Sequence, residues 1–510
     1  MLVKTYGCAL YGIDAMLVTI EVNMDKGIQF FLVGLPDSAV KESHQRIEAA
    51  LTNVGFNYPK KKITINMAPA DVRKEGSAYD LPIAIGILAA SDQMQSERLG
   101  QYIIMGELSL DGGLNPIKGA LPIAIKAAQE GFKGLILPKA NAKEASVVTE
   151  LEVYGVDNIN EVVDFLNGDK ELQPEVVSLD ISDEEAFCEF DFSDVKGQEN
   201  IKRALEIAAA GGHNVILIGP PGSSKTMLAK RLPSILPKLT VAEALETTKI
   251  HSVAGLMGGN TSLVMTRPFR SPHHTISDAG LVGGGTYPQP GEISLAHNGV
   301  LFLDELPEFK RTVLEVMRQP MEDRIVTISR AKLSVDFPAN FMLVAAMNPC
   351  PCGYYNHPDK ECVCAPGVVL KYLNKISGPL MDRIDLHVEV VPVPFKDLAD
   401  RHKGESSSLV RERVIKARKV QEKRFASYPN IHANAQMNAQ LLAKYCDVDE
   451  TCRALLKNAM ERLGLSARAY DRILKVSRTI ADLDASETIK PEHLAEAIQY
   501  RSLDRDNWGN

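Results

Sequence analysis

The sequence predicts a multidomain α/β protein with a parallel sheet in its central part and an all-helical C-terminal part. At 510 residues the chain is long enough for two or three domains. Short apolar, β-branched stretches alternate with helical patterns up to about residue 395, which is typical of parallel sheets covered by helices. Beyond that point only helical periodicity continues.

Composition and charge limit the classes of function. The apolar fraction of 45% and the charged fraction of 24% are those of a soluble globular protein. A net charge of −8 argues against a surface that coats nucleic acid, while a local basic groove or pore stays compatible with it. No apolar run is long enough to span a bilayer, and the first residues lack a secretion signal. We therefore expect a cytoplasmic protein without a membrane partner.

The N-terminal part, residues 1–170, has the pattern of one α/β domain. Its strand patterns lie at residues 30–34, 62–66, 102–105 and 134–138, and its helical patterns at residues 39–53, 80–90 and 120–130. Residues 171–189, by contrast, are rich in Asp and Glu and predict an acidic linker.

A glycine-rich turn lies near the middle of the chain, between the apolar stretch 214–218 and a helical pattern that begins at residue 225. Strand, turn, Lys-Thr and helix form the context of a phosphate-binding loop, because N–H groups of the turn and of the helix N-terminus face the phosphates. We expect Lys225 to reach the β- and γ-phosphates of ATP, and the Thr226 hydroxyl to ligate Mg²⁺. The predicted nucleotide-binding residues are Gly219, Pro220, Pro221, Gly222, Ser223, Ser224, Lys225 and Thr226.

Ser224 departs from the usual pattern of these loops, which have glycine directly before the lysine. The substitution adds a Cβ where the backbone approaches phosphate. We expect the substitution to affect the rate of ATP hydrolysis and to leave the predicted fold unchanged.

Two further buried strands end in polar residues. Residues 300–303 are followed by Asp304 and Glu305, and residues 341–347 are followed by Asn348. Ligands bind at the carboxyl ends of the strands in open α/β sheets. We expect Asp304 to hold Mg²⁺ through water, Glu305 to orient or deprotonate the attacking water, and Asn348 to bind the γ-phosphate or that water.

Four of the eight cysteines fall in a short polar stretch directly after this third strand. They form two Cys-x-Cys pairs, which indicates one tetrahedral Zn²⁺ site, although the spacing is tighter than zinc pairs usually have. Unliganded thiols and an iron–sulfur cluster are the alternatives, with His357 as a substitute ligand. The predicted ligands are Cys350, Cys352, Cys362 and Cys364.

Two arginines of the C-terminal half suit an ATP site. Arg383 could reach the γ-phosphate of a neighbouring subunit as an arginine finger, and a salt bridge with Asp382 or Asp385 is the alternative. Arg468 lies in the first turn of a helix capped by Ser466 and could face the nucleotide from a helical lid.

Three polar segments each have two interpretations. The pair His273-His274 suits a phosphate-facing loop better than a shared metal, because adjacent side chains point in different directions. Residues 325–335 predict a hairpin with Arg330 and Lys332 at its tip, which either touch nucleic-acid backbone or are solvated. The basic helix pattern at 408–425 is either a DNA-facing stripe or a solvated face.

The N-terminal domain resembles the proteolytic domain of Lon-type proteases. The stretches that carry the likeness are 106–112, 116–119 and 136–138. Lon proteases use a Ser–Lys dyad in which the lysine is the base. Matching their motifs places Ala78 at the nucleophile position and Leu121 at the lysine position, so the resemblance implies a degenerate structural or docking module. A peptidase that uses Ser77 with Lys118 or Lys126 is the alternative.

Over nearly its whole length the chain resembles the magnesium-chelatase-like AAA+ ATPases of the ComM/YifB type. The most specific stretches are 269–275, 291–305, 347–353 and 465–483. The resemblance implies a Lon-protease-like domain (1–170), the linker (171–189), an AAA+ P-loop core with a parallel sheet (190–395) and a C-terminal helical lid (396–510).

The resemblance also implies roles for single residues. Asn348 matches sensor 1, Arg383 the arginine finger and Arg468 sensor 2 of a homo-hexamer that uses ATP and Mg²⁺. A helix-2 insert at about 278–295 and a pre-sensor hairpin at about 324–336 would line the central pore of this ring.

Three functions compete at this point. Because ComM proteins are associated with DNA branch migration, the expected function is an ATP-dependent ring motor on single-stranded or branched DNA, a helicase of recombination or natural transformation. A magnesium-chelatase-type motor is the second, although the Lon-like domain and the four-cysteine loop do not suit it. A protease or protein-remodelling ATPase is the third, and the lost dyad disfavours the protease.

Overall fold

The computed structural model describes residues 2–176, 190–259, 261–285, 288–330, 333–355, 357, 359–393, 404–428 and 431–501. Most of the predicted acidic linker lies outside these residues, as does the predicted boundary at residue 395. Among the described residues, no helix has both the length and the apolar character needed to cross a bilayer.

The N-terminal part is built on two main sheets. Its strands are β1 (Leu2–Tyr11), β2 (Asp14–Asp25), β3 (Phe30–Val33), β4 (Lys62–Ala68), β5 (Tyr102–Ile104), β6 (Glu107–Leu108), β7 (Leu114–Asn115), β8 (Gly134–Pro138) and β9 (Glu152–Val156). One sheet has the order β1-β2-β4-β3, in which only the β3–β4 pair is parallel. The other has the parallel order β5-β8-β9, while β6 and β7 form a short antiparallel pair.

The helices of this part cover the sheets. They are Ser38–Asn53, Asp80–Ala90, Ala120–Gln129, Lys139–Ala145 and Ile159–Asn167, with 3₁₀ turns at Ser77–Tyr79 and Leu99–Gln101. Asp37 caps the first helix, since its carboxylate accepts a 2.8 Å hydrogen bond from the Val40 N–H. Every residue of Asp80–Ala90 is buried, which explains why this helix is apolar all round. The strands and helices predicted here are confirmed, whereas the long β1–β2 hairpin was not predicted.

The central part contains a five-stranded, fully parallel sheet. The strands of the central part are β10 (Val215–Ile218), β11 (Phe269–Arg270), β12 (Gly283–Gly284), β13 (Gln289–Pro290), β14 (Val300–Leu303), β15 (Ile325–Arg330), β16 (Leu333–Pro338), β17 (Met342–Met347) and β18 (Leu386–Glu389). The sheet has the order β11-β14-β17-β10-β18. Two antiparallel hairpins, β12–β13 and β15–β16, stand outside it.

Alternate side chains of β10 enter two separate cores, as the period of a strand requires. Val215 and Leu217 pack with the C-terminal helices, and Ile216 and Ile218 pack on the other face of the sheet. Helices of the central part are Glu199–Gly211, Lys225–Arg231, Val241–Ala254, Asp278–Val282, Glu292–Leu295, Arg311–Val316, Arg318–Asp323, Pro366–Leu373 and Gly378–Met381, with 3₁₀ turns at Phe192–Asp194, Leu232–Ile235 and Leu306–Glu308.

The C-terminal part is helical, as predicted. Its helices are Ser407–Phe425, Ala439–Tyr445, Glu450–Leu463, Ala467–Leu483 and Pro491–Gln499, with a 3₁₀ turn at Asn434–Gln436. The structure is therefore a mixed α/β fold with parallel sheets and a helical C-terminal region.

The basic helix Ser407–Phe425 does not present its arginines as a DNA-facing stripe. Arg411 donates a 2.8 Å hydrogen bond to the Ser234 carbonyl, and Arg418 donates one of the same length to the Ala209 carbonyl. Arg424 pairs with Asp482 at 2.6 Å. These arginines attach the helix to the central part and to its helical neighbours, while the lysines of the helix are exposed. The two interpretations of the basic pattern therefore apply to the lysines alone.

Candidate functional site

The glycine-rich loop joins β10 to the helix Lys225–Arg231 at the carboxyl edge of the parallel sheet. Only glycine fits at position 219, where a Cβ would lie 2.2 Å from the Val390 carbonyl oxygen. Ser224 has φ +64°, in the left-handed region that glycine adopts without strain. The left-handed backbone explains why such loops usually have glycine at this position. In this chain the backbone of Ser224 is strained.

Lys225 is buried and its ammonium group is held by the loop. Its Nζ donates hydrogen bonds to the Gly219 carbonyl at 2.7 Å and the Pro220 carbonyl at 2.9 Å. The Asn348 Oδ1, at the end of the adjacent strand β17, lies 3.2 Å away. Burial lowers the pKa of Lys225, and the negative charge of Asp304 opposes this effect. A cation whose hydrogen-bond partners are neutral oxygens is well placed to receive an anion.

Thr226 and Asp304 meet although they lie on different strand–loop connections. The Thr226 hydroxyl donates a 2.6 Å hydrogen bond to Asp304 Oδ2, and the Glu305 N–H donates to Asp304 Oδ1 at 2.9 Å. Oxygen ligands of this kind are those that Mg²⁺ prefers. The structure thus brings together five predicted residues, Lys225, Thr226, Asp304, Glu305 and Asn348, at one edge of the sheet.

Glu305 also contacts a residue whose role the sequence left open. Its backbone is left-handed, with φ +53°, and its side chain is exposed. His274 Nδ1 lies 3.4 Å from Glu305 Oε2, whereas His273 Nδ1 lies 2.9 Å from the Thr275 hydroxyl. The two histidines thus have separate partners, as expected for a polar loop and not for a shared metal.

The four clustered cysteines converge. All four sulfur atoms lie within 4.8 Å of one another, and Cys350 Sγ is 3.3 Å from Cys352 Sγ and 3.7 Å from Cys362 Sγ. A tetrahedral Zn²⁺ with Zn–S bonds of about 2.3 Å requires sulfur atoms roughly 3.8 Å apart, so the donor set fits this ion. His357 is not needed as a substitute ligand, because the four thiols by themselves supply the four ligands of a tetrahedral site. The sequence-predicted ligands thus form one group.

This cysteine loop packs directly on the glycine-rich loop that follows β10. A Cβ at Gly353 would lie 2.4 Å from Pro221 Cδ, which leaves room only for glycine. A group that cross-links the cysteines would therefore also support the loop that precedes Lys225.

Arg383 and Arg468 have partners away from these five residues. Arg383 is buried, forms an ion pair with Glu322 and donates to the Pro379 carbonyl at 2.6 Å. The alternative of a salt bridge with Asp382 or Asp385 is wrong, because Asp382 lies 3.6 Å from Arg468 and Asp385 pairs with Arg472. Sequence reasoning missed Glu322 and Arg472, since neither has a motif that signals a long-range contact.

The candidate Ser–Lys dyad of the N-terminal part is not assembled. The Ser77 hydroxyl hydrogen-bonds to Glu107, and Lys126 pairs with Glu130 at 2.6 Å. The aliphatic chain of Lys118 packs beside Gly255. Ser77 and Lys118 instead line one cavity of about 700 Å³, which the insert residues Gly284 and Gly285 and strand β16 help to close.

The N-terminal part touches the β15–β16 hairpin through the turn that joins β1 to β2. The Tyr11 hydroxyl donates a 2.9 Å hydrogen bond to the Ser334 carbonyl of this hairpin. Beside it, Asp14 pairs at 3.3 Å with Lys249 of the helix Val241–Ala254. Of the predicted basic tip, Lys332 and the side chain of Arg330 lie outside the described residues.

Three family models match the chain. "Magnesium chelatase, subunit ChlI" covers residues 191–398, "Subunit ChlI of Mg-chelatase" covers residues 20–141, and "Magnesium chelatase, subunit ChlI C-terminal" covers residues 404–501. Together with the parallel sheet and the glycine-rich loop, they define a protein of the magnesium-chelatase-like AAA+ class.

Relatives refine this class. The chain is 47% identical to Competence protein ComM of Haemophilus influenzae over 504 residues, which is 98% of this chain and 97% of that protein. It is 44% identical to the uncharacterized protein YifB of Escherichia coli over 500 residues, 98% of this chain and 96% of that protein. The DNA replication licensing factor mcm6 of Dictyostelium discoideum is 24% identical over 338 residues, 59% of this chain and 34% of that protein. The chain belongs to the ComM/YifB family of magnesium-chelatase-like AAA+ proteins, and this membership implies ATP binding and hydrolysis with Mg²⁺.

Proposed function

We propose that this protein is an ATP-dependent ring motor that acts on branched DNA, as a branch-migration helicase of recombination or natural transformation. The observation that carries the proposal is the position of two hairpins in the connections on either side of β14, the strand that ends just before Asp304 and Glu305. The β12–β13 hairpin lies in the connection from β11 to β14, and the β15–β16 hairpin lies in the connection from β14 to β17. A change at the carboxyl ends of these strands can therefore move both hairpins.

The relatives support DNA as the partner. One is named a competence protein, and a distant one is named a DNA replication licensing factor. Competence is the uptake of DNA by cells, and both names thus point to DNA-directed work. The overall charge of −8 requires that DNA contact a local surface, and a pore lined by the two hairpins is such a surface.

In this proposal the five clustered residues bind and cleave ATP. Lys225 neutralises the β- and γ-phosphates, and Thr226 and Asp304 hold Mg²⁺ directly or through water. Glu305 orients or deprotonates the attacking water, and Asn348 fixes the γ-phosphate or that water. ATP supplies the phosphoanhydride bond, and the residues of the loop from Gly219 to Thr226 supply its binding site.

The active form is proposed to be a homo-hexamer. Arg383 acts in trans on the ATP of the neighbouring subunit, and Arg468 acts as sensor 2 on the nucleotide of its own subunit. Arg383 must exchange Glu322 for a phosphate to do so. Glu322 is half exposed, whereas the Arg383 side chain is 9% exposed, so the phosphate has to replace Glu322 as the partner of a buried cation.

The cysteine cluster is proposed to hold a structural Zn²⁺ through Cys350, Cys352, Cys362 and Cys364. The ion would supply a rigid cross-link, since thiolate ligands in a closed tetrahedral site leave no open position for catalysis. The N-terminal domain, residues 1–170, is proposed to be a degenerate Lon-like docking module without peptidase activity. The other proposed boundaries are the linker 171–189, the AAA+ core 190–395 and the lid 396–510.

The decisive experiment measures ATP hydrolysis with and without a four-way DNA junction and follows dissociation of the junction in the same tubes. ATP-dependent dissociation that Lys225→Ala abolishes is the expected result. ATP hydrolysis that is indifferent to DNA would overturn the helicase proposal and favour the alternative, a chelatase-type or protein-remodelling motor.

A further inference from the structure

The segment that carries Arg383 is attached on both sides to the C-terminal helix Ala467–Leu483. Arg468 Nη1 lies 3.6 Å from Asp382 Oδ2, and Arg472 Nη1 lies 2.9 Å from Asp385 Oδ1. The two arginines are four residues apart and therefore share one face of the helix. Their partners lie one residue before and two residues after the proposed finger.

Asp385 is the inner anchor of this attachment. It is 1% exposed, and its Oδ2 accepts the Asn214 N–H at 3.1 Å and lies 3.2 Å from His213 Nδ1. His213 Nε2 in turn lies 2.8 Å from the hydroxyl of Thr479, a third residue of the same C-terminal helix. A buried carboxylate that loses a partner is costly, so these contacts hold one discrete arrangement.

The end of the C-terminal part strengthens the attachment. Arg501 Nη1 donates a 2.6 Å hydrogen bond to the Ile384 carbonyl, and the His387 N–H donates a 2.9 Å hydrogen bond to the Tyr500 carbonyl. Residues 382–387 are thus bound to the C-terminal helices through side chains and backbone. Leu386 and His387 also belong to β18 and pair with β10, so the segment is held between the C-terminal helices and the parallel sheet. Residues 382–384, before the strand, are the part that a movement of these helices can displace.

We propose that Arg472 and Asp385 are positioning residues that make the lid of one subunit set the position of Arg383 for its neighbour. The inference rests on the proposed function, since it requires Arg383 to act in trans. Arg472 and Asp385 do not touch ATP in this scheme. They transmit the position of the lid to the next active site of the ring, and so couple consecutive sites.

The contacts of Arg383 differ from those of Asp385, and this difference supports control of Arg383 by the lid. Arg383 itself pairs with Glu322, whose side chain is 52% exposed, whereas the Arg383 side chain is 9% exposed. Because a buried cation without a partner is costly, Arg383 exchanges Glu322 only for another anion such as a phosphate. The Asp385 side chain is 1% exposed, and its partners Arg472 and His213 are 22% and 0% exposed. A lid movement therefore acts on the turn that carries Arg383 through Asp385, at the point where this turn meets β18, while Arg383 exchanges Glu322 for a phosphate.

An ATP site of the proposed ring has one side that binds ATP and one side, from the neighbouring subunit, that offers Arg383. A ring mixed from two inactive variants tests the two sides separately. A Lys225→Ala subunit cannot use its own site but still offers Arg383. An Arg383→Ala subunit has an intact site but offers no finger. Each variant alone is expected to be inactive, and their mixture is expected to hydrolyse ATP wherever an intact site faces Arg383.

Arg472→Gln is then introduced into the Lys225→Ala subunit only. Because the own site of that subunit is already inactive, a change in activity reports on the site of its neighbour. We expect kcat of the mixture to fall about tenfold or more, since small misplacements of catalytic groups have effects of this size, while KM for ATP stays unchanged. Arg472→Lys keeps the positive charge and is expected to restore part of the activity.

Arg453→Gln in the same subunit is the matched control, because Arg453 is an exposed arginine of the C-terminal part that pairs with Asp447 at 3.4 Å. An unchanged kcat with Arg472→Gln would overturn the inference. If size-exclusion chromatography shows that this subunit no longer enters rings, Asp385→Asn, which keeps the shape of the side chain, makes the same test. A first mixture without ATP hydrolysis would instead overturn the finger in trans, which belongs to the proposed function.

Discussion

The Thr226 hydroxyl donates a 2.6 Å hydrogen bond to the carboxylate of Asp304, across 78 positions of sequence. Both groups are proposed Mg²⁺ ligands. Their contact means that the loop after β10 and the end of β14 already hold the two side chains next to each other. The metal would replace a hydrogen bond between its own ligands and would not have to gather them.

Replacing the loop lysine tests the phosphate site. We expect Lys225→Ala to lower ATP turnover about 100-fold or more, because a preorganised cation facing the phosphates is lost. Steady-state ATP hydrolysis and binding of a fluorescent ATP analogue measure the effect. Lys230→Ala, which removes an exposed lysine from the same helix, is the control. Equal activity of the two variants would contradict the assignment.

Removing the carboxylate of Glu305 is expected to separate binding from hydrolysis. Glu305→Gln keeps the shape of the side chain but cannot take a proton, so we expect ATP to bind and turnover to fall about 100-fold or more. Equilibrium binding and single-turnover hydrolysis measure the two steps. Glu308→Gln is the matched control, since Glu308 is exposed and pairs with Lys375 at 3.2 Å. Normal turnover by Glu305→Gln would remove Glu305 from the site.

The cysteine cluster makes a stoichiometric prediction. We expect the purified protein to contain about one zinc per chain, and the combined Cys→Ser replacement at positions 350, 352, 362 and 364 to contain none. Elemental analysis by mass spectrometry measures the content. Cys446→Ser, at a buried cysteine elsewhere, should retain the metal. A wild-type protein free of zinc and of iron after purification without chelators would show that the cluster consists of unliganded thiols.

The left-handed backbone at Ser224 predicts a small energetic effect. Ser224→Gly relieves strain of about 1 kcal/mol but adds freedom to the unfolded chain, so the free energy of unfolding should change by less than about 1 kcal/mol. Turnover of ATP should stay equal or rise, because the Cβ next to the phosphates is gone. Urea unfolding and ATP hydrolysis are measured together. Ser224→Ala keeps the Cβ and should not raise turnover; a clear loss of activity in Ser224→Gly would contradict the argument.

Acid stability should depend on Arg472. Burial by itself raises the pKa of Asp385, but the charge of Arg472, with the contact to His213, overcomes burial and lowers this pKa well below its usual range. A carboxylate with a lowered folded-state pKa stabilises the fold above its unfolded pKa of about 3.9, and this stabilisation disappears as the pH falls.

Without Arg472 the folded-state pKa of Asp385 rises, so we expect Arg472→Gln to unfold at a higher pH than the wild type. Circular dichroism during acid titration measures the midpoint, with Arg453→Gln as the control. An unchanged midpoint would mean that the Arg472–Asp385 pair contributes nothing to the pH dependence of stability.

Local patterns were sufficient for much of the central fold. The apolar runs that became β10, β14 and β17, and the turn chemistry of the loop between Ile218 and Lys225, are encoded by neighbouring residues. The hairpin β15–β16 follows from alternation alone. The β1–β2 hairpin was not predicted, because small residues such as Gly7 and Ala9 interrupt the apolar pattern of β1 and conceal its burial.

The sequence by itself determined the class of the protein, the loop that holds Lys225 and the strands on either side of the polar residues Asp304 and Asn348, because these depend on residues close together in the chain. Only the tertiary structure decided that Arg383 pairs with Glu322, that the arginines of the basic helix bind the core, and that Arg472 reaches Asp385. Such pairs join positions far apart in sequence. Their energies depend on burial and distance, which no local pattern records.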